Sequence, residues 1–396
     1  MDLLGPGRRG KRCKANSEHG NSVHSDLPQL HSTRILKRRV TPQKIALLFV
    51  GYGNVARRFV QLLDESRPTL AALQIQPIVV GVVTQRHGRI FDSAGLNMAR
   101  IADLLQPSRT DESSGTQFIV DSLAALRSAD VAARIVVETT TLNIRAGEPA
   151  IAHVRAAIEH GADVITANKG PAAFAYRSLA DAALRAGRSF LFEGAVMDGI
   201  PVFNLLRETM PGVTVTGFRG VVNSTTNYML TAMEAGEAYG DALARMQEAG
   251  VAEADPSLDV DGWDAAAKAA VLANVLLDAD TTPLAIAREG IGPDTGARAI
   301  QARARGMRLK LVAQGTGRGA AAELRVHLEE LPADDPLATL DGQANALELN
   351  TWPLGRIVIT QRDGGMEKTA YALLTDLVTV VQRLSNPSSN RSIDRS

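Results

Sequence analysis

Ile45-Ala46-Leu47-Leu48-Phe49-Val50-Gly51-Tyr52-Gly53-Asn54-Val55-Ala56 decides the fold. The run of apolar residues that opens it has no polar interruption, which suits a strand buried on both faces of a parallel sheet. The run ends at a glycine, and residues 55–63 then carry apolar side chains at helical spacing. Strand, tight turn and helix in that order form a dinucleotide-binding start, with Ala56 in the third small position. Gly51 permits the turn, Gly53 lets the backbone approach a diphosphate, and Ala56 lets the helix lie close to the sheet. The helix N-terminus turns its positive end toward the diphosphate. Gly51, Gly53, Asn54 and Val55 are therefore candidate cofactor-binding residues.

Outward from this start, residues 77–84, 134–137 and 164–166 read as further buried strands, and helical segments separate them, including residues 148–160. That alternation predicts an α/β fold with a Rossmann-type doubly wound parallel sheet. The second strand runs out into Thr84-Gln85-Arg86-His87. An NAD site usually carries an acidic residue there to hold the ribose hydroxyls; here none is present, and Arg86 is available for a 2′-phosphate. The reading favours NADP and leaves NAD open. Thr139 and Thr140 follow the third strand and Lys169 follows the fourth, all at the edge where open sheets bind ligands.

After Lys169 the texture changes to α+β. Residues 171–186, 225–235, 241–249 and 262–278 have helical spacing, residues 189–193 look like a strand, and residues 213–222 alternate as an antiparallel strand does. Gly250 stands where a helix C-terminal cap belongs. Near the end, residues 356–360 form a strand candidate and residues 369–384 a helix.

The bulk numbers bound the rest. The chain has 396 residues, too many for one compact domain, and is 45% hydrophobic. Its formal net charge is +0 and its aromatic content 4%, which point away from a nucleic-acid partner. The lone cysteine, Cys13, excludes a disulfide framework and a cysteine metal site. The absence of a long apolar run predicts no membrane span, and a cytoplasmic location fits. Residues 1–43 hold no aromatic residue and set Arg8, Arg9, Lys11, Arg12, Lys14, Arg34, Lys37, Arg38 and Arg39 against Asp2, Glu18 and Asp26. They read as a disordered basic tail, and residues 385–396 as a second disordered tail.

The stretch Glu253-Ala254-Asp255-Pro256-Ser257-Leu258-Asp259-Val260-Asp261-Gly262-Trp263-Asp264-Ala265-Ala266-Ala267-Lys268 carries the most chemistry. Asp255-Pro256 marks a loop, and the second half starts a helix. Asp264 and Lys268, four apart, share a helical face. The helix around them is apolar nearly all round, so it is expected to be buried. A buried acid–lysine pair costs desolvation and points to function more often than a surface pair does. Several carboxylates beside a lysine suit a substrate with an ammonium group and a reducible carbonyl, the lysine moving the proton that accompanies hydride transfer.

Gly51-Tyr52-Gly53-Asn54-Val55, Thr166-Ala167-Asn168-Lys169, Asn223-Ser224-Thr225-Thr226-Asn227-Tyr228 and the Asp255-Pro256…Asp259-Val260…Gly262…Asp264…Lys268 pattern together resemble the homoserine dehydrogenase family over residues 44–383. The resemblance implies reversible NAD(P)-dependent reduction of L-aspartate 4-semialdehyde to L-homoserine. It implies Lys268 as the proton carrier and Lys169 as a second catalytic lysine that also lies near the cofactor. Glu253, Asp259, Asp264 and Thr225 would bind the amino-acid substrate. Thr139, Thr140, Gly250 and Gly365 would touch the cofactor. It also implies a monovalent cation held by the backbone carbonyls of Glu193, Val196, Asp198 and Ile200. The implied architecture joins residues 44–169 to about 345–383 as one dinucleotide-binding domain, with the C-terminal segment completing its sheet. Residues 170–344 would form an inserted α+β substrate and dimerisation domain of a homodimer or higher homo-oligomer. Met197-Asp198 departs from the small pair of many relatives, and the loop before Thr369-Ala370 departs from their glycine-rich loop. A related dehydrogenase for another amino acid or semialdehyde, or an inactive cofactor-binding homologue, would share much of this pattern.

Overall fold

A computed structural model describes residues 42–105, 112–248 and 255–385. The basic segment with Cys13, the C-terminal tail beyond residue 385, Gly250 and Glu253 lie outside the described residues. A six-stranded sheet comprises β1 (Gln43–Val50), β2 (Ile75–Val83), β3 (Arg89–Phe91), β4 (Ala133–Glu138), β5 (Asp163–Thr166) and β6 (Phe190–Leu191). Their order is β3-β2-β1-β4-β5-β6, with parallel pairing except for β3 at one edge. The chain steps from β1 out to β2 and β3, then returns to the far side of β1 as β4. That reversal opens a crevice at the carboxyl ends of β1 and β4, where a doubly wound sheet binds its ligand.

The alternation within β1 explains why both faces are covered. Ile45, Leu47 and Phe49 pack with Phe59 and Leu63 of the helix Asn54–Glu65 and with Leu373 and Leu377 of the helix Met366–Ser385. Leu48 and Val50 join the opposite core with Phe118, Ile119 and Val154 from the helices Glu112–Ala125 and Ala150–Glu159.

The second sheet contains β7 (Thr214–Val221), β8 (Ala287–Arg288), β9 (Met307–Thr316), β10 (Glu323–Pro332), β11 (Asn345–Trp352) and β12 (Gly355–Gln361). Its order is β12-β11-β7-β9-β10-β8, antiparallel apart from the short β8–β10 pairing. The helix Trp263–Leu276 packs against β9, β10 and the helix Lys169–Ala186. All-round burial of Ala265, Ala266, Ala267, Ala269, Ala270 and Val271 follows from that double contact.

The C-terminal segment departs from expectation. Its strands, β11 and β12, do not complete the parallel sheet; they extend the antiparallel one, and only the helix Met366–Ser385 returns to the first sheet. The cause is visible in β12, whose exposure alternates along an outer edge, whereas a strand of a doubly wound sheet is covered on both faces. The boundary expected at residue 169 also falls too early. The helix Lys169–Ala186 leads into β6, which adds to β5 as the last strand of the parallel sheet.

Lys310 on β9 is 0% exposed, and its Nζ donates to Asn227 Oδ1 at 2.9 Å and to the Leu340 carbonyl. Burial, then the neighbouring Arg308 guanidinium, lowers its pKa from 10.5 to about 8. Between those values the unfolded chain binds more protons than the folded one, so this group makes stability rise with pH. Denaturant unfolding of the wild type and Lys310→Met should therefore show the wild type gaining roughly 3 kcal/mol relative to the variant from about pH 8 to about pH 10.5. A difference independent of pH would contradict the burial account.

Candidate active site

The glycine turn is shaped by the strand beside it. Gly51 has φ +88°, its N–H donates to the Val83 carbonyl at 2.9 Å, and a Cβ there would lie 2.7 Å from the Thr139 carbonyl group. Any side chain would collide with the end of β4 in a backbone region that L residues avoid. Gly53 differs: a Cβ would meet nothing within 4 Å, and it caps the helix Asn54–Glu65 with no side-chain hydrogen bond. The first-turn N–H groups thus face an open cleft with no protein side chain as cap, the arrangement that receives a diphosphate. The cleft has a volume of about 510 Å³, and Gly51, Gly53, Asn54, Arg86, Thr139 and Thr140 are among its walls. These residues fit a dinucleotide. Arg86 is exposed on the turn between β2 and β3, and Arg57, which the motif reading passed over, lines the same cleft.

A second cavity of about 260 Å³ adjoins the first, because Thr139 and Thr140 belong to the walls of both. Val55, Asn168, Lys169, Asp198, Lys268 and Thr369 also line it. Asp264 organises this chamber. Its Oδ1 lies 3.1 Å from Lys169 Nζ and its Oδ2 lies 2.9 Å from Lys268 Nζ. Lys268 also donates to the Val222 carbonyl at 2.6 Å. Asn223 caps the helix Ser224–Glu234 through Oδ1, while its Nδ2 donates to Asp259 Oδ1 at 2.7 Å and Asp264 Oδ2 at 2.8 Å. Thr225, buried in the same helix, bonds Asp259.

Charge in the chamber is set by competition between burial and these partners. Burial would raise the Asp264 pKa, but Lys169 and Lys268 outweigh it and hold the carboxyl below its ordinary range. Burial would lower Lys268, but Asp264, Asp198 and Asp259 outweigh it and its pKa is raised. Asp259 goes up, from burial and from the Asp264 charge, against the bond from Asn223. Two lysines and one firmly ionised carboxylate therefore meet beside a space that opens on the cofactor cleft.

The loop after β6 forms another wall. The Glu193 carboxylate is buried and accepts the backbone N–H groups of Phe203 at 2.8 Å and Asn204 at 2.7 Å, and Glu193 N–H donates to Asp376 Oδ2 at 2.9 Å. Burial, then the Asp376 carboxylate, pushes Glu193 up. Val196 is buried, and Asp198 adopts φ +48° while its carboxylate accepts Gly365 N–H at 3.2 Å and the Thr369 hydroxyl at 3.4 Å. The Ile200 carbonyl accepts Val202 N–H at 2.9 Å. Carbonyl oxygens are chemically suited to a hard monovalent cation. Gly365 touches this loop through Asp198 and stays outside the walls of both cavities.

Besides Arg57, motif reading passed over Glu138 altogether, and it placed Asn223 in a pattern without a role. Asn223 precedes Ser224-Thr225-Thr226, the usual signal of a helix cap, and the cap geometry sends its other arm to both carboxylates. Glu138 ends the apolar strand β4 and is 0% exposed.

Comparison with known proteins agrees with this geometry. Residues 51–193 match the family "Homoserine dehydrogenase, NAD binding domain" and residues 201–378 match "Homoserine dehydrogenase". The NAD(+)-dependent homoserine dehydrogenase of Pseudomonas canavaninivorans is 35% identical over 348 residues, covering 87% of this chain and 97% of that protein. The homoserine dehydrogenase of Sulfurisphaera tokodaii is 33% identical, covering 84% and 97%. The crystal structure of a homoserine dehydrogenase from Thiobacillus denitrificans superposes with a TM-score of 0.72 at 28% identity, covering 88% of this chain and 75% of that one. With both parts of the chain matched in order and whole relatives covered at this identity, the chain belongs to the homoserine dehydrogenase family of oxidoreductases acting on a CH–OH group.

Proposed function

We propose that the chain interconverts L-homoserine and L-aspartate 4-semialdehyde with Lys268 as the proton carrier, within threonine, methionine and isoleucine biosynthesis. The observation that supports this most is Asp264 bridging Lys169 and Lys268 beside a chamber that shares Thr139 and Thr140 with the cofactor cleft. The bound nicotinamide supplies or accepts the hydride. Lys268, kept protonated by Asp264, donates a proton to the alkoxide that develops on carbonyl reduction and takes it back in the reverse direction. Lys169 adds positive charge at the same oxygen. Asp259 and Asp264 hold the substrate's ammonium group, with Thr225 beside them; Glu253 belongs to the same reading. No covalent intermediate is needed.

The finer assignments form part of the same proposal. Arg86 and Arg57 on the cleft wall, with no acid on the β2–β3 turn, favour NADP, while the NAD(+)-dependent relative from Pseudomonas canavaninivorans keeps NAD in play. Gly250 and Gly365 would contribute to cofactor contact. A monovalent cation would be held by the carbonyls of Glu193, Val196, Asp198 and Ile200, bracing the chamber wall. Homodimerisation through the second sheet is supported by its outer strand β12 and by Trp352, which ends β11 and is 67% exposed. No helix among the described residues is long and apolar enough to cross a membrane. A reaction drawing on the nicotinamide pool fits the cytoplasm.

Two measurements test this. Lys268→Ala should lower turnover of homoserine by roughly 10²–10⁴-fold, the usual scale for a general acid–base group; an unchanged rate would remove Lys268 from the mechanism. Homoserine oxidation with NAD and NADP side by side should favour NADP, with the preference lost in Arg86→Ala and the rate raised by potassium or sodium. An NAD preference untouched by that variant would overturn the phosphate assignment, and indifference to both ions would overturn the cation site.

A further inference from the structure

We infer that Glu138 is a positioning residue for this reaction, orienting the shared wall of the two cavities and the start of the helix that carries Lys169. It rests on the reading that the cofactor crosses Thr139 and Thr140 and that Lys169 works beside the substrate. Glu138 lies at the carboxyl end of β4 and lines neither cavity. A buried carboxylate is costly unless it is hydrogen-bonded. The basic group nearest to it among the described ion pairs, His153 Nδ1, stands 3.6 Å away, too far for a good hydrogen bond. The carboxylate is held by what lies above it. Its Oε1 accepts the Thr140 N–H at 3.1 Å and the Thr140 hydroxyl, and the Thr166 hydroxyl is shared between Glu138 Oε2 at 3.1 Å and the Glu138 backbone carbonyl at 2.8 Å.

A hydroxyl has one proton to give, so spending it on Glu138 leaves each threonine oxygen as an acceptor. The Thr140 proton must point down to Glu138, which leaves the Thr140 oxygen as an acceptor for Asn168 Nδ2 at 3.2 Å; the same Nδ2 donates to the Thr140 carbonyl at 3.0 Å. The Thr166 oxygen accepts Asn168 N–H at 2.9 Å. Both ends of Asn168 are thereby set, and its Oδ1 caps the helix Lys169–Ala186 by accepting Gly170 N–H at 2.8 Å. Lys169 is the first residue of that helix, and its Nζ meets Asp264. One buried carboxyl group thus ties the floor under the cofactor to the backbone that aims a catalytic lysine.

The test uses the full chain in homoserine oxidation, with kcat, cofactor KM and melting temperature for the wild type, Glu138→Ala, Glu138→Gln and Thr166→Val. Cofactor Kd is also read by fluorescence titration without substrate. Glu138→Ala should lower kcat about 10- to 100-fold, the effect of a misplaced reacting group, and raise cofactor KM and Kd several-fold. Glu138→Gln should recover most of the loss, because its amide oxygen serves Thr140 and its NH₂ donates to the Thr166 oxygen. Thr166→Val should reduce kcat several-fold although Thr166 lines neither cavity. A lowered melting temperature with unchanged kcat, KM and Kd per folded enzyme would overturn the inference, as would a glutamine variant as impaired as alanine. If Glu138→Ala does not fold, wild-type kinetics in Thr166→Val overturn it. A wild type that binds cofactor but oxidises no homoserine defeats the functional reading, and the cofactor Kd of the variants then still decides the role of Glu138.

Discussion

One carboxylate between two ammonium groups is the constraint on which the architecture converges. Asp264 comes from the helix Trp263–Leu276, and so does Lys268, but Lys169 opens the helix that follows β5 of the parallel sheet. Three charges in a partly buried space hold together because the middle one is negative and Asn223 donates a further hydrogen bond to it. That triad requires the helices Lys169–Ala186 and Trp263–Leu276 to pack closely, which the run of alanines on the second helix allows. It also requires Lys169 to follow the carboxyl end of β5, beside β4 and on the edge of the first sheet where the cofactor cleft opens. The contact between the helices and the chemistry are therefore one structural fact.

The cofactor side shows the same economy. Gly51 is squeezed against Thr139, whose N–H bonds the Val50 carbonyl at 2.8 Å and whose hydroxyl bonds the Gly51 carbonyl at 3.0 Å. Turn and strand end are locked together, so the position of the cleft is inherited by the chamber beyond it. Thr140 carries that registration onward to Asn168.

Local signals made much of this legible. Apolar runs located β1, β2, β4 and β5 because strands covered on both faces must be apolar throughout. The i,i+4 spacing of Asp264 and Lys268 announced their pairing, and the alanines around them announced burial. Strand partnership was not legible: the segment from about residue 345 was expected to complete the parallel sheet, and only the ladder from β11 to β7, more than a hundred residues apart in sequence, assigns its strands to the antiparallel one. The role of Asn223, quoted only as part of a longer pattern, and Glu138 itself escaped notice for a related reason. Their importance comes from what approaches them in space, from Asp259 and Asp264 in one case and Asn168, through Thr140 and Thr166, in the other, and no spacing rule encodes that meeting.

Asp264 keeps Lys268 charged against its burial. The pH dependence of kcat/KM for homoserine oxidation, compared between the wild type and Asp264→Asn, tests it directly, since that profile reports groups on the free enzyme. Lys268 must be neutral to take the proton, so its limb in the wild type should lie above the ordinary lysine range. Without the Asp264 charge, burial dominates and the limb should move to lower pH, whatever the loss in absolute rate. A limb that stays in place would contradict the account.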